Sequence, residues 1–246
     1  GFTNLELLTA LGDDLKGRAI IEFCDKLGII TDNIYVCNDT ETDSYLAIED
    51  IQGLKAAIAH IFNVEEFGDR ILGPLENGAV KTSSNPSHNL IVLDGNLSTS
   101  SLSKIAENKK FKNYDIRIAS ASSSKAFRLK PFLSLPNVTI YCNMAEAENL
   151  CNLSFKNTRQ ASTYLLKKGL GRAIVTNGDK QICASSVNHE PIIILPPKVK
   201  NIKHITGAGD YFLACHIANE INQIPKETSL LKAAESASKY VETEIK

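Results

Sequence analysis

The sequence predicts an α/β protein in which a doubly wound, mainly parallel sheet is flanked by helices. From residue 90 onward, short apolar strand patterns alternate with stretches whose apolar residues recur at helical spacing. Such alternation is typical of parallel βα units. The chain has 246 residues, of which 43% are hydrophobic, enough to bury one large core.

The elements before residue 90 form a different pattern. A strand over residues 5–11 precedes a helix that begins near Leu15, has apolar residues at helical spacing and ends at Gly28. Short strand patterns at 34–37 and 45–49 are separated by polar turns. We expect these two strands to form a small sheet set apart from the main one.

The elements from residue 90 onward justify the main sheet. Each strand pattern is short and rich in branched residues, and each helical pattern has one apolar face. They are strand 90–94, helix 100–107, strand 115–119, helix 124–133, strand 138–142, helix 158–168, strands 172–176, 181–187 and 192–195, and helices 211–221 and 229–243.

Composition excludes several classes of function. The formal net charge of −1 supplies no basic surface for nucleic acid, and no apolar run of 18 residues could span a membrane. The six cysteines contain no Cys-x-x-Cys pair, which argues against a zinc site or a disulfide framework. We therefore expect a cytoplasmic protein that acts on a small molecule.

The most informative motif is Thr206-Gly207-Ala208-Gly209-Asp210, which opens an apolar helix. Glycines permit a tight turn whose N–H groups point outward, and the helix dipole adds positive potential, so the turn is suited to a phosphate. A carboxylate beside that phosphate can accept a proton from an attacking hydroxyl. The alternative is an ordinary helix cap that binds nothing.

Polar motifs also follow three strands, where a doubly wound sheet gathers its ligands. They are Asn143-Met-Ala-Glu146, Thr176-Asn-Gly178 and Asp94-Gly-Asn96. A serine-rich turn leads to Lys125 after a fourth strand. Each has a plain structural alternative, namely a helix cap, a strand end, a turn and a solvated charge.

In this order, Asn-x-x-Glu-Ala, Val-Thr-x-Gly and Thr-Gly-Ala-Gly-Asp resemble the ribokinase-like PfkB family of carbohydrate and nucleoside kinases. The likeness extends over essentially the whole chain. It implies a single ribokinase-like domain over residues 1–246, with residues 33–60 contributing to a β lid through which a homodimer forms. It also implies that the family's first strand and part of the lid would precede Gly1.

The resemblance implies a role for each motif. Asp210 acts as the base on a 5′-hydroxyl, while Gly207, Ala208 and Gly209 stabilise the transferring phosphoryl group. The remaining implied contacts are ATP at Asn143, Thr176, Gly178 and Thr206, Mg²⁺ at Glu146, and the substrate at Asp94, Asn96 and Lys125.

Within the family, four segments resemble the pseudouridine kinases: Thr42-Asp-Ser-Tyr45-Leu-Ala, Leu54-Lys-Ala-Ala57-Ile-Ala, Val92-Leu-Asp94-Gly-Asn96-Leu-Ser and Ser122-x-x-Lys125-Ala. The resemblance implies ATP-dependent phosphorylation of the 5′-hydroxyl of pseudouridine. The alternatives are a kinase for another nucleoside or sugar and a non-catalytic descendant that binds a nucleoside or nucleotide. A dinucleotide-dependent oxidoreductase is disfavoured because no Gly-x-Gly-x-x-Gly follows an early strand.

Four residues depart from the family pattern and motivate the non-catalytic alternative. His204 and Ile205 replace Asp-Thr, so an oxygen ligand is lost and potassium activation is in question. Gln181 replaces a glycine, and Ala119 replaces an acidic residue.

Overall fold

The computed structural model describes residues 5–50, 53–80 and 89–244. Within them, the strands are β1 Ala10–Gly12, β2 Tyr35–Cys37, β3 Ser44–Asp50, β4 Gly53–His60, β5 Leu90–Asp94, β6 Asp115–Ala119, β7 Val138–Asn143, β8 Arg172–Thr176, β9 Ile182–Ser186 and β10 Ile192–Ile194. The α-helices are α1 Leu15–Lys26, α2 Asn63–Glu66, α3 Gly68–Asn77, α4 Thr99–Glu107, α5 Met144–Cys151, α6 Thr158–Lys167, α7 Ala208–Ile221 and α8 Lys226–Glu242.

The main sheet has six strands in the order β10-β9-β8-β7-β6-β5. Strands β5 to β8 are parallel, and β9 and β10 are antiparallel. One apolar cluster packs α3 to α6 against the sheet, and a second packs α7 and α8 against the other face. The predicted α/β fold, with helices on both faces of a mainly parallel sheet, is confirmed.

The N-terminal strands pair differently from the sequence-based expectation. β2 pairs in parallel with β1 and does not join β3 in the small sheet, while β3 pairs with β4 as an antiparallel hairpin. The predicted strand over residues 5–11 is also shorter, since β1 begins at Ala10. Strand partners are chosen by long-range packing, which local apolar patterns do not report.

The sequence patterns predict no helix or strand for residues 53–80, where the structure has β4, α2 and α3. β4 has the sequence Gly-Leu-Lys-Ala-Ala-Ile-Ala-His, whose alanines have weak strand propensity. α3 contains Gly73 and Pro74, which conceal a helical pattern. Likewise, the predicted helix at 124–133 is a 3-10 helix at Ala126–Phe132, where Pro131 offers no N–H.

Two aspartates anchor the base of the β3–β4 hairpin. Asp14 accepts hydrogen bonds from Gly17 N (2.7 Å) and from Thr42 N (2.8 Å) and Oγ1 (2.7 Å). These bonds, led by the one from Gly17, lower the pKa of Asp14 to about 2. Asp43 accepts from the amides of Phe62 and Asn63, both at 2.9 Å. Asp43 therefore ties the chain entering the hairpin to the chain leaving it.

A buried ion cluster fixes the far end of α7. Glu220 accepts hydrogen bonds from Arg172 Nη1 (2.6 Å) and Nη2 (2.7 Å), and from Arg117 Nη1 (2.5 Å). Arg117 also pairs with Asp115 at 2.6 Å. Because the arginines lie on β6 and β8, the cluster joins α7 to two strands of the sheet.

Within the described ranges, no helix combines the length and apolar character needed to cross a membrane. The six cysteines are all free.

Candidate active site

The carboxyl ends of the four parallel strands meet at one edge of the main sheet. Asp94 pairs in register with Ala119, and Asn143 pairs with Thr176. These residues end β5, β6, β7 and β8 respectively. The fold therefore places Asp94, Asn143 and Thr176 along one crevice, which is the usual ligand site of such sheets.

The anion turn, residues 206–210, leads into the N-terminus of α7. Gly207 is the N-cap residue and has φ of 87°, a left-handed conformation that favours glycine. Its missing side chain leaves the helix without a side-chain cap. A β-carbon on Gly209 would have no heavy atom within 4 Å, so the chain there faces open space.

Not every amide of the turn is oriented as the sequence suggested. Ala208 N donates to Ile205 O at 3.1 Å, which closes the turn. The next two amides, of Gly209 and Asp210, lie in the first turn of α7, where an N–H group has no carbonyl of the same helix as its acceptor. They are the first-turn donors best placed for an anion.

Asp210 lies in the first turn of α7 and is exposed. Its pKa is raised, first because protein atoms displace part of the water around the carboxylate and second because Asp94 carries a like charge. The pKa of Glu146 is also raised, by burial and then by Asp210. The carboxylate of Asp210 thus interacts electrostatically with Asp94 at the end of β5 and with Glu146 on α5.

Asn143 and Glu146 form a capping box at the start of α5. Glu146 N donates to Asn143 Oδ1 at 3.0 Å, and Asn143 N donates to Glu146 Oε2 at 2.8 Å. The capping alternative is therefore confirmed as a local role. It also fixes the orientation of the Glu146 carboxylate beside Asp210.

Thr176 and Gly178 lie at the next strand end. Thr176 is the last residue of β8, and Gly178 follows in a turn with φ of 57°. A β-carbon on Gly178 would meet no heavy atom within 4 Å. A ligand can therefore approach this backbone closely.

The predicted substrate residues form one hydrogen-bonded chain. Asp94 Oδ1 accepts from Asn96 N at 2.6 Å, and Asn96 Oδ1 accepts from Lys125 Nζ at 2.8 Å. Lys125 Nζ also donates to Glu65 Oε1 at 2.9 Å. Lys125 is therefore held in place, in contrast to the solvated alternative.

Sequence reasoning missed Glu65 and Arg128 in this chain. Arg128 Nη1 donates to Glu65 Oε1 at 3.0 Å and to Asn96 O at 2.9 Å. Glu65 lies on α2, directly after the hairpin. Arg128 stands three residues after Lys125, a spacing that places both side chains on one side of a helical turn. This spacing is the local feature of the sequence that could have pointed to Arg128.

Two of the four departures from the family pattern, His204 and Gln181, have side-chain partners in the structure. His204 is buried with its ring against Tyr240, at 4.5 Å between centroids. Gln181 Oε1 accepts from Thr158 Oγ1 at 3.2 Å.

Two hollows lie in the surface near the main sheet and α7. A cavity of about 160 Å³ lies beside Arg172 and Glu220, at the opposite end of β8. A groove of about 460 Å³ borders His204, Tyr211 and Tyr240. The candidate site consists of the converging strand ends and the carboxylates of Asp94, Glu146 and Asp210.

The site fits a divalent ion that is held jointly with phosphates. Among the described residues, no three His, Cys, Asp or Glu side chains cluster closely enough to hold a metal alone. Mg²⁺ commonly uses one or two carboxylates together with phosphate and water oxygens. Burial and then the charge of Asp210 raise the pKa of Glu146, and a bound divalent ion would favour its ionised form.

The chain is similar to a known protein family and to a curated relative. A model of the pfkB family of carbohydrate kinases matches residues 3–244. Pseudouridine kinase from Escherichia coli strain K12 is 23% identical over 211 residues, which cover 85% of this chain and 64% of that protein. The chain thus spans less than two thirds of this curated relative's length.

Two solved structures share the fold. Adenosine kinase from Schistosoma mansoni, in complex with 2-fluoroadenosine, has a TM-score of 0.80 at 17% identity, covering 97% of this chain and 74% of that one. Ribokinase from Arabidopsis thaliana, complexed with ribose and ATP, has a TM-score of 0.75 at 18% identity, covering 98% and 77%. The ribokinase-like fold expected from the sequence is confirmed.

Proposed function

Because the chain belongs to the pfkB family of carbohydrate kinases, we propose that it transfers a phosphoryl group from ATP to the 5′-hydroxyl of pseudouridine. The observation that carries the proposal is the position of Asp210. Its carboxylate stands at the N-terminus of an uncapped helix and shares a field with Asp94 and Glu146. A base and anion-binding amides are thereby adjacent.

Asp210 accepts the proton of the attacking hydroxyl as the oxygen–phosphorus bond forms. Its raised pKa makes it a better base than an ordinary aspartate. The amides at the start of α7 lie at the helix end where positive potential is greatest, and they stabilise the negative charge of the moving phosphoryl group. Asp94 and Asn96 bind ribose hydroxyls or the base edge.

ATP is the proposed donor, and the family match and the ATP bound by the Arabidopsis ribokinase support it. Thr176, Gly178, Asn143 and Thr206 border the nucleotide. Glu146, with the phosphates, would hold Mg²⁺, which neutralises phosphate charge when bound. Potassium activation stays in question, since a buried imidazole at His204 replaces an oxygen ligand.

Pseudouridine as the acceptor rests on sequence likeness to the Escherichia coli enzyme. The alternative acceptors are another nucleoside, as bound by the Schistosoma kinase, or a free sugar such as ribose. Both alternatives keep the same mechanism at Asp210 and change only the contacts at Asp94, Asn96 and Lys125.

A substrate panel tests the proposal. The purified protein is incubated with ATP, Mg²⁺ and each of pseudouridine, uridine, adenosine and ribose, and phosphorylated products are identified by mass spectrometry. We expect pseudouridine 5′-phosphate to form with the highest kcat/KM. Preference for another acceptor revises the substrate alone, whereas no product from any acceptor favours a non-catalytic binding protein.

The acid limb of the pH profile of kcat/KM should lie at higher pH than a base with the pKa of an ordinary aspartate would give. Activity requires ionised Asp210, and a raised folded-state pKa means that activity is lost at higher pH as acid is added. Asp94→Asn removes the second cause of that shift. The limb of kcat/KM against pH should therefore move to lower pH in this variant and stay in place in Asp69→Asn, on the exposed side of α3. An unmoved limb in Asp94→Asn contradicts the assignment.

Glu65→Gln should weaken acceptor binding. It removes the charge that orders Lys125 and Arg128, and charge-assisted hydrogen bonds of this kind contribute about 1.5–3 kcal/mol. We expect the KM for the acceptor to rise at least roughly tenfold while kcat changes less. Glu66→Gln, the exposed neighbour on α2, is the matched control. Equal KM values in the two variants rule out this role.

We propose that residues 1–246 form one kinase domain and that the β3–β4 hairpin is its lid. The hairpin exposes apolar side chains, with Leu46 59% and Ile58 68% exposed. Such a surface is suited to pairing with a second copy, and a homodimer through the lid is part of the proposal. We also propose a cytoplasmic location.

A further inference from the structure

Tyr240, near the end of α8, contacts the segment around the anion turn in four places. Its hydroxyl donates to Thr206 O at 3.3 Å, and its ring stacks on Tyr211 with centroids 4.8 Å apart. The ring of His204 packs edge-on against it at 4.5 Å. A β-carbon on Gly207 would lie 2.6 Å from the Tyr240 hydroxyl.

These contacts lie on both sides of the reacting groups. His204 and Thr206 precede the glycines, and Tyr211 directly follows Asp210. One aromatic side chain therefore holds the entry and the exit of the turn. The close approach at Gly207 also explains why a residue with no side chain is needed there, besides its φ of 87°.

The end of α8 supports the same segment through its backbone. Val241 O accepts hydrogen bonds from Lys203 N at 2.8 Å and from His204 N at 3.4 Å. His204 Nε2 is buried and lacks a hydrogen-bond partner within the described residues. Packing against Tyr240 therefore helps to orient this ring.

We infer that Tyr240 is a positioning residue for phosphoryl transfer, an inference that rests on the function proposed above. Main-chain donors stabilise a transition state well only when they are ordered beforehand. If the turn is mobile, its backbone must lose conformational entropy when the transition state forms, and this loss slows the reaction. Tyr240 keeps the turn ordered by its ring contacts and by its hydrogen bond to Thr206 O.

A graded set of substitutions tests the inference. Tyr240→Phe keeps the ring contacts and loses one hydrogen bond, so kcat should fall about two- to tenfold. Tyr240→Ala removes both, and kcat should fall on the order of 30- to 100-fold, with a smaller change in the KM for the acceptor. Tyr240→Leu, which is bulky without an aromatic ring, should resemble the alanine variant.

Tyr164→Ala is the matched control. Tyr164 is a half-buried tyrosine of α6 whose ring packs against Phe155 at 5.5 Å. It loses a comparable aromatic contact outside the segment 203–211. Its kcat should stay near the wild-type value even if the melting temperature falls as much as in Tyr240→Ala.

Hydrogen exchange gives a readout that needs no turnover. Amides 206–211 should exchange faster in Tyr240→Ala than in wild type and in Tyr164→Ala, while β5 to β8 keep their protection. If Tyr240→Ala keeps the wild-type kcat and the wild-type exchange rates, the inference about Tyr240 is wrong, while the proposed function stands. Activity losses that follow melting temperature equally in both alanine variants also overturn it. An inactive wild type instead rejects the proposed function, and the catalytic role of Tyr240 with it.

Discussion

Asp210→Asn should lower kcat by about 10²- to 10⁴-fold, the usual contribution of a positioned general base. Asparagine has nearly the same shape but cannot accept the hydroxyl proton. Nucleotide binding should largely survive, because the main-chain donors of the turn are kept. Steady-state kinetics and calorimetric titration with ATP check the two parts of this result.

The same substitution has an electrostatic consequence. After burial, the charge of Asp210 raises the pKa of Glu146, so its neutralisation should lower that pKa and leave thermal stability unchanged or higher. Asp69→Asn, which removes an exposed carboxylate from a surface pair with Lys104, is the control with normal kcat. A variant at position 210 with near-wild-type kcat would show that another group is the base.

Glu220→Gln should cause the largest loss of stability. Glutamine cannot neutralise the two arginines, which are only 8% and 20% exposed, and breaking a buried ion pair costs about 3–5 kcal/mol. For a chain of this length we expect the melting temperature to fall by roughly 10 °C. Glu190→Gln, which breaks an exposed pair with Arg159, should have no measurable effect.

The stability that Glu220 contributes should depend on pH. Burial alone would raise the pKa of Glu220, but the hydrogen bonds and charge of Arg172 outweigh it and lower the pKa to about 2. A depressed folded-state pKa means that the stabilisation is complete above pH 4.5 and is lost as pH falls toward 2. Denaturant unfolding of the wild type and of Glu220→Gln at several pH values checks this. The difference between their free energies of unfolding should shrink as the pH falls from 4.5 toward 2. A constant difference is inconsistent with an ionic role for Glu220.

The strand-end residues could be placed from the sequence because of a general property of parallel sheets. Once 90–94, 138–142 and 172–176 are identified as parallel strands, Asp94, Asn143 and Thr176 must follow at one edge. The anion turn was equally accessible, since its glycines and Asp210 are contiguous. Local order along the chain was sufficient in both cases.

Other features depend on contacts between distant residues. Glu65 reaches Lys125 and Arg128 across about 60 residues of sequence, and only the completed fold brings them together. Tyr240 meets Thr206 across 34 residues in the same way. Periodicity also predicts α1 without showing which face is covered, and Leu15 and Phe23 in it are 81% and 62% exposed.

The most direct measurement is a crystal structure of the protein with ADP, Mg²⁺, aluminium fluoride and pseudouridine. In this complex the aluminium fluoride group takes the place of the transferring phosphoryl group. We predict that an Asp210 carboxylate oxygen lies within hydrogen-bonding distance of the 5′-oxygen, with the first amides of α7 donating to the fluoride. A complex in which the acceptor hydroxyl meets another base, with Asp210 turned toward solvent, would contradict the account.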